Sequence, residues 1–209
     1  MLFNSVFFIM VFLPLTLLGF YALQRLNNPI YAKLFLTGAS LFFYGYYNPL
    51  YVLLLGGSLL VNHCCSKLFE LCKTQRSRCL ILIAGLFVNL GILFYFKYFN
   101  FFIDNCNMLL HTDFNIEKIA LPLGISFFTF QQISYLVDRY WGEAPYYSLL
   151  DYSCFITFFP QLIAGPIVMH SEFMPQLLAR KNRRPDTDKF FDGLSLFILG
   201  LGKKVIKQE

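Results

Sequence analysis

The chain has 209 residues, of which 57% are hydrophobic, 19% aromatic and only 14% charged, with a net charge of +5. A soluble domain carries about 25% charged residues, so this composition excludes a water-soluble enzyme and a disordered tail. The bases lie in short clusters between apolar runs, as in cytoplasmic loops, rather than along one face that would bind nucleic acid. We therefore predict an all-α, polytopic helical membrane protein whose partner is the lipid bilayer and not a nucleic acid.

The first two apolar runs predict one crossing helix and one hairpin. Residues 1–24 carry no charge and are too long and too aromatic for a signal peptide. They predict a transmembrane helix that starts outside and ends at the basic, cytoplasmic stretch 25–33. Residues 34–66 are also uncharged, but Asn48-Pro49 disfavours a continuous helix. Because basic stretches flank both ends of this run, it predicts a hairpin of two short helices of roughly 13 to 16 residues each.

The middle of the chain predicts a crossing to the outer side and a return. Residues 79–103 form the next apolar run, with Lys97 inside an aromatic cluster typical of a membrane interface. The loop 104–118 has an acidic balance that suits the outer side. Residues 119–137 are uncharged and predict the helix that returns inward.

The run that follows, residues 152–171, is apolar but interrupted. It contains Pro160, Gly165 and Pro166 within a short stretch, and these residues cannot sustain a straight spanning helix. Irregular backbone at membrane depth is tolerated only where protein or a wet cavity surrounds it. The segment is therefore predicted to be re-entrant or to lie in the inner interface.

The end of the sequence predicts an unfinished bundle. A basic run at 180–184 precedes the last apolar run, 190–201. The basic run is explained by cytoplasmic retention, or by contact with acidic headgroups or an anionic ligand. The last apolar run has about 12 residues, fewer than a span needs. The expected organisation is one transmembrane domain over residues 1–209 that is truncated.

Few polar side chains interrupt the apolar runs, and each should face protein or water. At least one of Gln131 and Gln132 should point into the bundle, either to make an interhelical hydrogen bond or to line a cavity. Gln161 follows Pro160, where its amide either satisfies carbonyls freed by the broken backbone or lines a path. His170 is a weaker functional candidate, near the predicted inner face. The full set is Asn62, His63, Asn89, Lys97, Gln131, Gln132, Gln161 and His170.

No pattern of metal-binding or nucleophilic residues is present. The cysteines are Cys64, Cys65, Cys72, Cys79, Cys106 and Cys154. They are predicted to be free thiols, since a chain this long and apolar needs no disulfides. The spacing after His63 does not fit a zinc site, so no metal is predicted. Palmitoylation of cysteines at the membrane edge is an alternative to inert thiols. No nucleophile elbow, phosphate-binding loop or paired carboxylates occur either.

Several motifs follow one another along the chain. They are MLFNSVFFIMVFLP, LFFYGYYNPLYVLLL, FYFKYFNFF, LPLGISFFTFQQISYLVDRYWG, FFPQLIAGPIVMHSEF and FILGLGKKV. In this order they resemble the N-terminal half of the membrane-bound O-acyltransferase family, in particular its alginate O-acetyltransferase branch. The resemblance covers essentially the whole chain, and the fourth and fifth motifs are its most specific parts.

The resemblance implies a ring of helices around a tunnel in a bacterial inner membrane. A cytoplasmic acyl donor, such as acetyl-CoA or an acyl-carrier thioester, meets an acceptor from the outer side at a histidine. The acetyl group passes outward to an exported polysaccharide, with periplasmic acetylation proteins as partners. No bound cofactor is implied.

The resemblance also implies that this chain contributes the wall of the tunnel but not the catalytic base. The family histidine lies in a Trp-His motif of the C-terminal half, whereas Trp141 is the only tryptophan here and precedes Gly142. No catalytic residue is therefore assigned, and the chain is expected to be inactive without a C-terminal half. The implied tunnel residues are Gln131, Gln132, Pro160, Gln161, Gly165 and Pro166.

Two other functions fit the same sequence. The Pro/Gly-broken segments are compatible with a small transporter or channel subunit, although no carboxylate lies within the apolar runs. A structural membrane protein that assembles with a separate C-terminal half is the other alternative.

Overall fold

Helices make up most of the computed structural model, which describes residues 5–26, 28–46, 48–110, 119–163, 168–179 and 186–206. They are α1 (Leu13–Gln24), α2 (Ile30–Gly45), α3 (Pro49–Leu71), α4 (Gln75–Leu93), α5 (Phe99–Leu110), α6 (Ile125–Trp141), α7 (Leu149–Thr157), α8 (Phe159–Leu162), α9 (His170–Leu178) and α10 (Thr187–Ile206). Stretches of π-helix, Phe8–Phe12 and Phe94–Tyr98, precede α1 and α5. No β-strand occurs in these ranges, which confirms the prediction of an all-helical chain.

Two helices of the described ranges are long and apolar enough to cross a bilayer. They are Pro49–Leu71, with 23 residues, and the continuous helix Gln75–Leu109, with 35 residues. About 20 residues suffice for one crossing. Together with the apolar composition, these helices establish a helical membrane protein.

Local chemistry explains where α3 and α6 begin. Asn48 caps α3 by accepting a hydrogen bond from Leu50 N at 3.0 Å, and Pro49 occupies the first turn. The predicted break at Asn48-Pro49 is therefore confirmed. Gly124 and Gly142 flank α6 in left-handed conformations, with φ of 74° and 82°. Only glycine adopts this conformation without strain.

Two predicted boundaries in the hairpin and the next span are wrong. Helix α2 has 16 residues, as predicted, but α3 continues past residue 66 to Leu71 and is no short arm. The charges that end the apolar run do not end the helix, because Lys67, Leu68 and Glu70 are good helix formers. The Ser66 hydroxyl bonds to Tyr135 and Arg139 of α6. Likewise, residues 104–110 belong to α5 rather than to the predicted outer loop. The rest of that loop, residues 111–118, lies outside the described residues.

Three further boundaries differ from the sequence prediction. The return helix starts at Ile125 and not at residue 119, because Pro122 and Gly124 keep the preceding backbone irregular. The apolar run 152–171 is interrupted, as predicted, but the observed break lies at the non-helical Phe158 between α7 and α8, two residues before the predicted Pro160. The last helix, α10, has 20 residues and exceeds the predicted run 190–201. The basic run 180–184 lies outside the described residues.

The helices pack in an order that places α3 and α6 at the centre. Helix α6 contacts α3, α4 and α7, while α2 contacts α1, α3, α7 and α8. An ion pair between Lys33 of α2 and Asp151 of α7 is largely shielded from solvent. The segments that carry the most specific motifs contribute to the buried aromatic and aliphatic core, through residues such as Phe128 and Leu162.

Candidate functional site

Three of the sequence motifs meet at the N-terminal end of α6. The Tyr44 hydroxyl, from the YGYYNP segment, donates to the carbonyl of Leu123 at 2.9 Å. The backbone of Gly124 approaches the carbonyl of Leu162, in the FFPQLIAGPI segment, so closely that a Cβ atom would lie 2.2 Å from that oxygen. Segments far apart in the sequence thus form one tightly packed junction.

A cluster of polar side chains joins α3, α4 and α6. This amide cluster consists of Ser58 and Asn62 of α3, Asn89 of α4 and Gln132 of α6. Ser58 Oγ donates to Gln132 Oε1 at 2.9 Å, and Asn62 Nδ2 also donates to Gln132 Oε1. Asn62 and Asn89 exchange reciprocal amide bonds of 3.1 and 2.7 Å.

The amide cluster makes Gln132 an interhelical hydrogen-bonding residue. Its side chain is 0% exposed, and its Nε2 has no partner among the described residues. The neighbouring Gln131 is buried as well. Polar contacts of this type hold helices together inside a membrane.

Gln161 stabilises the break between α7 and α8. Its Nε2 donates at 3.1 Å to the carbonyl of Phe155, which lies in the last turn of α7. The amide therefore satisfies a carbonyl beside the break. Pro160 is exposed in the first turn of α8. The other two predicted tunnel residues, Gly165 and Pro166, lie outside the described residues.

His170 is buried between two oxygen partners. Its Nε2 lies 2.9 Å from Asp138 Oδ2, and its Nδ1 lies 3.3 Å from the Tyr147 hydroxyl. The Tyr147 hydroxyl can donate to Nδ1 or accept from it, according to the tautomer and charge of the imidazole. The contact between Nε2 and Asp138 ties the start of α9 to the end of α6.

Arg139 makes a second set of contacts at the same end of α6. Its guanidinium donates to the Ser66 hydroxyl and carbonyl, both at 3.2 Å, and to the Ala144 carbonyl at 3.0 Å. Glu70 lies 3.5 Å away and balances its charge. Tyr135 bonds the same Ser66 hydroxyl at 3.1 Å. These contacts neutralise a cation that is costly to bury.

The similarity to known proteins follows the chain from end to end. A peptidoglycan O-acetyltransferase of Helicobacter pylori is 40% identical over 99% of this chain and 44% of its own length. The probable alginate O-acetylases AlgI of Pseudomonas aeruginosa and Azotobacter vinelandii are 35% and 36% identical over 98% of this chain. They are covered over 39% and 41% of their own lengths.

The chain belongs to the membrane-bound O-acyltransferase family. It spans about two fifths of the length of the curated relatives it matches. No family model matches the sequence, and no solved structure matches it.

In this member of the O-acyltransferase family, sequence analysis missed the pairing partners of the polar residues. Asp138 and Arg139 were interpreted as the end of a span, but they hold His170 and Ser66. One signal was available: Ser58, Asn62 and Ser66 recur at intervals of four, which places them on one face of α3. No comparable signal links Asp138 to His170, since they lie on different helices.

Other predicted residues have ordinary surroundings in this chain. The Lys97 ammonium lies 3.3 Å from Ser126 Oγ and 5.5 Å from the centre of the Tyr98 ring, at an exposed position. All six cysteines are free. Within the described ranges, no group of three histidine, cysteine or acidic side chains could hold a metal ion.

Proposed function

We propose that this chain is the N-terminal part of an enzyme that transfers acetyl groups to hydroxyls of a polysaccharide outside the cytoplasmic membrane. The observation that carries the proposal is the 35–40% identity, over almost the whole chain, to a peptidoglycan O-acetyltransferase and to alginate O-acetylases. The donor is a cytoplasmic thioester such as acetyl-CoA or an acyl-carrier conjugate. No cofactor stays bound to the protein.

The role proposed for this part is to build the wall of the transfer tunnel. Gln131 and Gln132 on α6, Pro160 and Gln161 at the α7–α8 break, and the adjoining Gly165 and Pro166 would shape it. The close approach of Gly124 to Leu162 supports this role, because it holds α6 against the broken segment. A rigid wall aligns donor and acceptor, which lowers the entropic part of the barrier. The catalytic base would come from a C-terminal half, and periplasmic acetylation proteins would take part as partners.

The function is tested by deleting the chromosomal gene that encodes this chain. Mild alkali releases ester-linked acetate, which we expect to be lost from the peptidoglycan or from exported polysaccharide. The fraction that loses acetate identifies the acceptor. Unchanged acetate in both fractions would contradict the proposal.

Complementation of the deletion tests the tunnel-wall residues of this chain separately from the catalytic base of a C-terminal half. Residues 1–209 alone should restore no acetate, because the Trp-His motif is not among them. A full gene carrying Gln161→Met should restore less acetate than the wild-type gene. Ser195→Ala, on the exposed surface of α10, is the matched control and should restore it fully. Immunoblots of the membranes must show equal protein levels.

We further propose a multi-pass protein of the bacterial inner membrane, with its N-terminus outside and the segment 152–171 re-entrant from the cytoplasmic face. The basic residues of the α3–α4 junction, such as Lys73 and Arg76, support a cytoplasmic position for that end. The short helices α7, α8 and α9 support a segment that turns back rather than crosses.

The orientation predicts the side of two fusion points. An alkaline phosphatase reporter is active only outside the cytoplasm, so it should be inactive when fused after Lys73 and active when fused after Asp113. A green fluorescent reporter should give the opposite pair of signals. The reverse pattern in both reporters would show that the orientation is wrong.

A further inference from the structure

Two buried polar atoms of neighbouring rings have no hydrogen-bond partner among the described residues. They are His63 Nδ1 on α3 and the Tyr152 hydroxyl on α7. The ring centres lie 6.0 Å apart, and the ring planes are inclined by 31°. Tyr152 is 0% exposed, so its hydroxyl cannot reach bulk solvent. Buried polar groups are nearly always paired, and two such exceptions side by side require a common explanation.

The two atoms are chemically suited to a shared ligand. His63 Nε2 already bonds the Tyr146 hydroxyl at 3.0 Å. A neutral imidazole carries one proton, so Nδ1 either donates or accepts, according to the tautomer. A phenol hydroxyl does either. A ligand for both atoms must therefore be small, because neither atom has accessible surface of its own, and must carry both donors and acceptors.

We propose that one water molecule binds between His63 Nδ1 and the Tyr152 hydroxyl. Water satisfies both atoms in either tautomer of His63, and a buried water commonly makes two to four such bonds. The bound water extends the contact between Tyr146 and His63 into a continuous network. That network connects α3, α7 and the loop that follows α6. It lies next to the Tyr135 ring, whose centre is 5.0 Å from that of Tyr152 and whose plane is inclined to it by 33°.

A double-mutant cycle on the full protein purified in detergent tests this site. Tyr152→Phe should lower the melting temperature by about 1–2 °C, since losing one hydrogen bond costs about 1 kcal/mol and the shift becomes smaller as the chain becomes longer. In a His63→Phe background the same change should have no such effect, because the water has already lost its other partner. If Tyr152→Phe leaves the melting temperature unchanged or raises it, the hydroxyl is truly unpaired and the proposal is wrong.

The control is Tyr135→Phe, which removes a hydroxyl bonded to Ser66. It should lower the melting temperature equally in the wild-type and His63→Phe backgrounds, which shows that His63→Phe does not mask other losses. An equal fall for Tyr152→Phe in both backgrounds would also overturn the proposal. If His63→Phe does not fold, a high-resolution density map decides the matter. Density joining the two atoms supports the water, whereas ordered rings without it refute the site.

Discussion

Replacing Gly124 by alanine is expected to destabilise the fold by roughly 3 kcal/mol or more. Two costs combine at this position. The backbone has a φ of +74°, which a residue with a Cβ adopts only under strain, and the new Cβ would lie 2.2 Å from the Leu162 carbonyl oxygen. The backbone at Gly124 cannot move away easily, because Tyr44 also holds Leu123. Unfolding of the purified protein by titration with sodium dodecyl sulfate measures the loss.

Gly142→Ala is the matched control for this substitution. Gly142 has a φ of +82°, but nothing lies within 4 Å of its Cβ position. The control therefore carries only the conformational cost, about 1 kcal/mol. The difference between the two variants isolates the contact between α6 and the FFPQLIAGPI segment. Equal losses would mean that this contact contributes nothing.

Replacing Asn62 by leucine should cost about 2 kcal/mol of unfolding free energy, because it leaves buried amides without partners. The Asn89 amide loses its reciprocal bonds, and Gln132 Oε1 loses one of its donors. Asn89 and Gln132 are completely buried, so bulk water cannot replace these bonds. The same detergent titration measures the loss.

Two comparisons identify the amide cluster as the cause of that loss. Asn105→Leu changes a partly exposed asparagine that bonds a carbonyl of its own helix, so it should alter stability by no more than about 0.5 kcal/mol. Asn62→Leu combined with Asn89→Leu should cost less than the sum of the single changes, because one substitution removes the partner that the other leaves unpaired. Strict additivity would argue against reciprocal pairing.

The sequence predicted helix breaks well where the cause is local. Asn48-Pro49 and the proline of the FFPQ segment interrupt helices for reasons contained in their own backbone chemistry. Boundaries failed where the end of an apolar run was taken for the end of a helix. Helix α3 continues past Ser66 into the charged but helix-forming residues Lys67 and Glu70, and the sequence around Ser66 does not reveal the α6 partners of its hydroxyl.

For the candidate site, the sequence identified polar residues but not their pairing. Gln132, Asn62 and Asn89 were all recognised as polar interruptions, and only the structure places them in one cluster. His170 was a weak functional candidate, and only the structure shows that Asp138 and Tyr147 bond its two ring nitrogens. In helices that are apolar on every side, hydrophobic periodicity does not show which face is inside.

The sequence by itself determined that the protein is helical and membrane-embedded, because a chain with 14% charged residues cannot cover a soluble surface. Its motifs, extending over the whole chain, also determined the O-acyltransferase resemblance. Only the tertiary structure decided that Gly124 touches Leu162 and that His170 pairs with Asp138. Those contacts depend on how each helix is rotated and on where it crosses its neighbours, and packing of the whole bundle sets both.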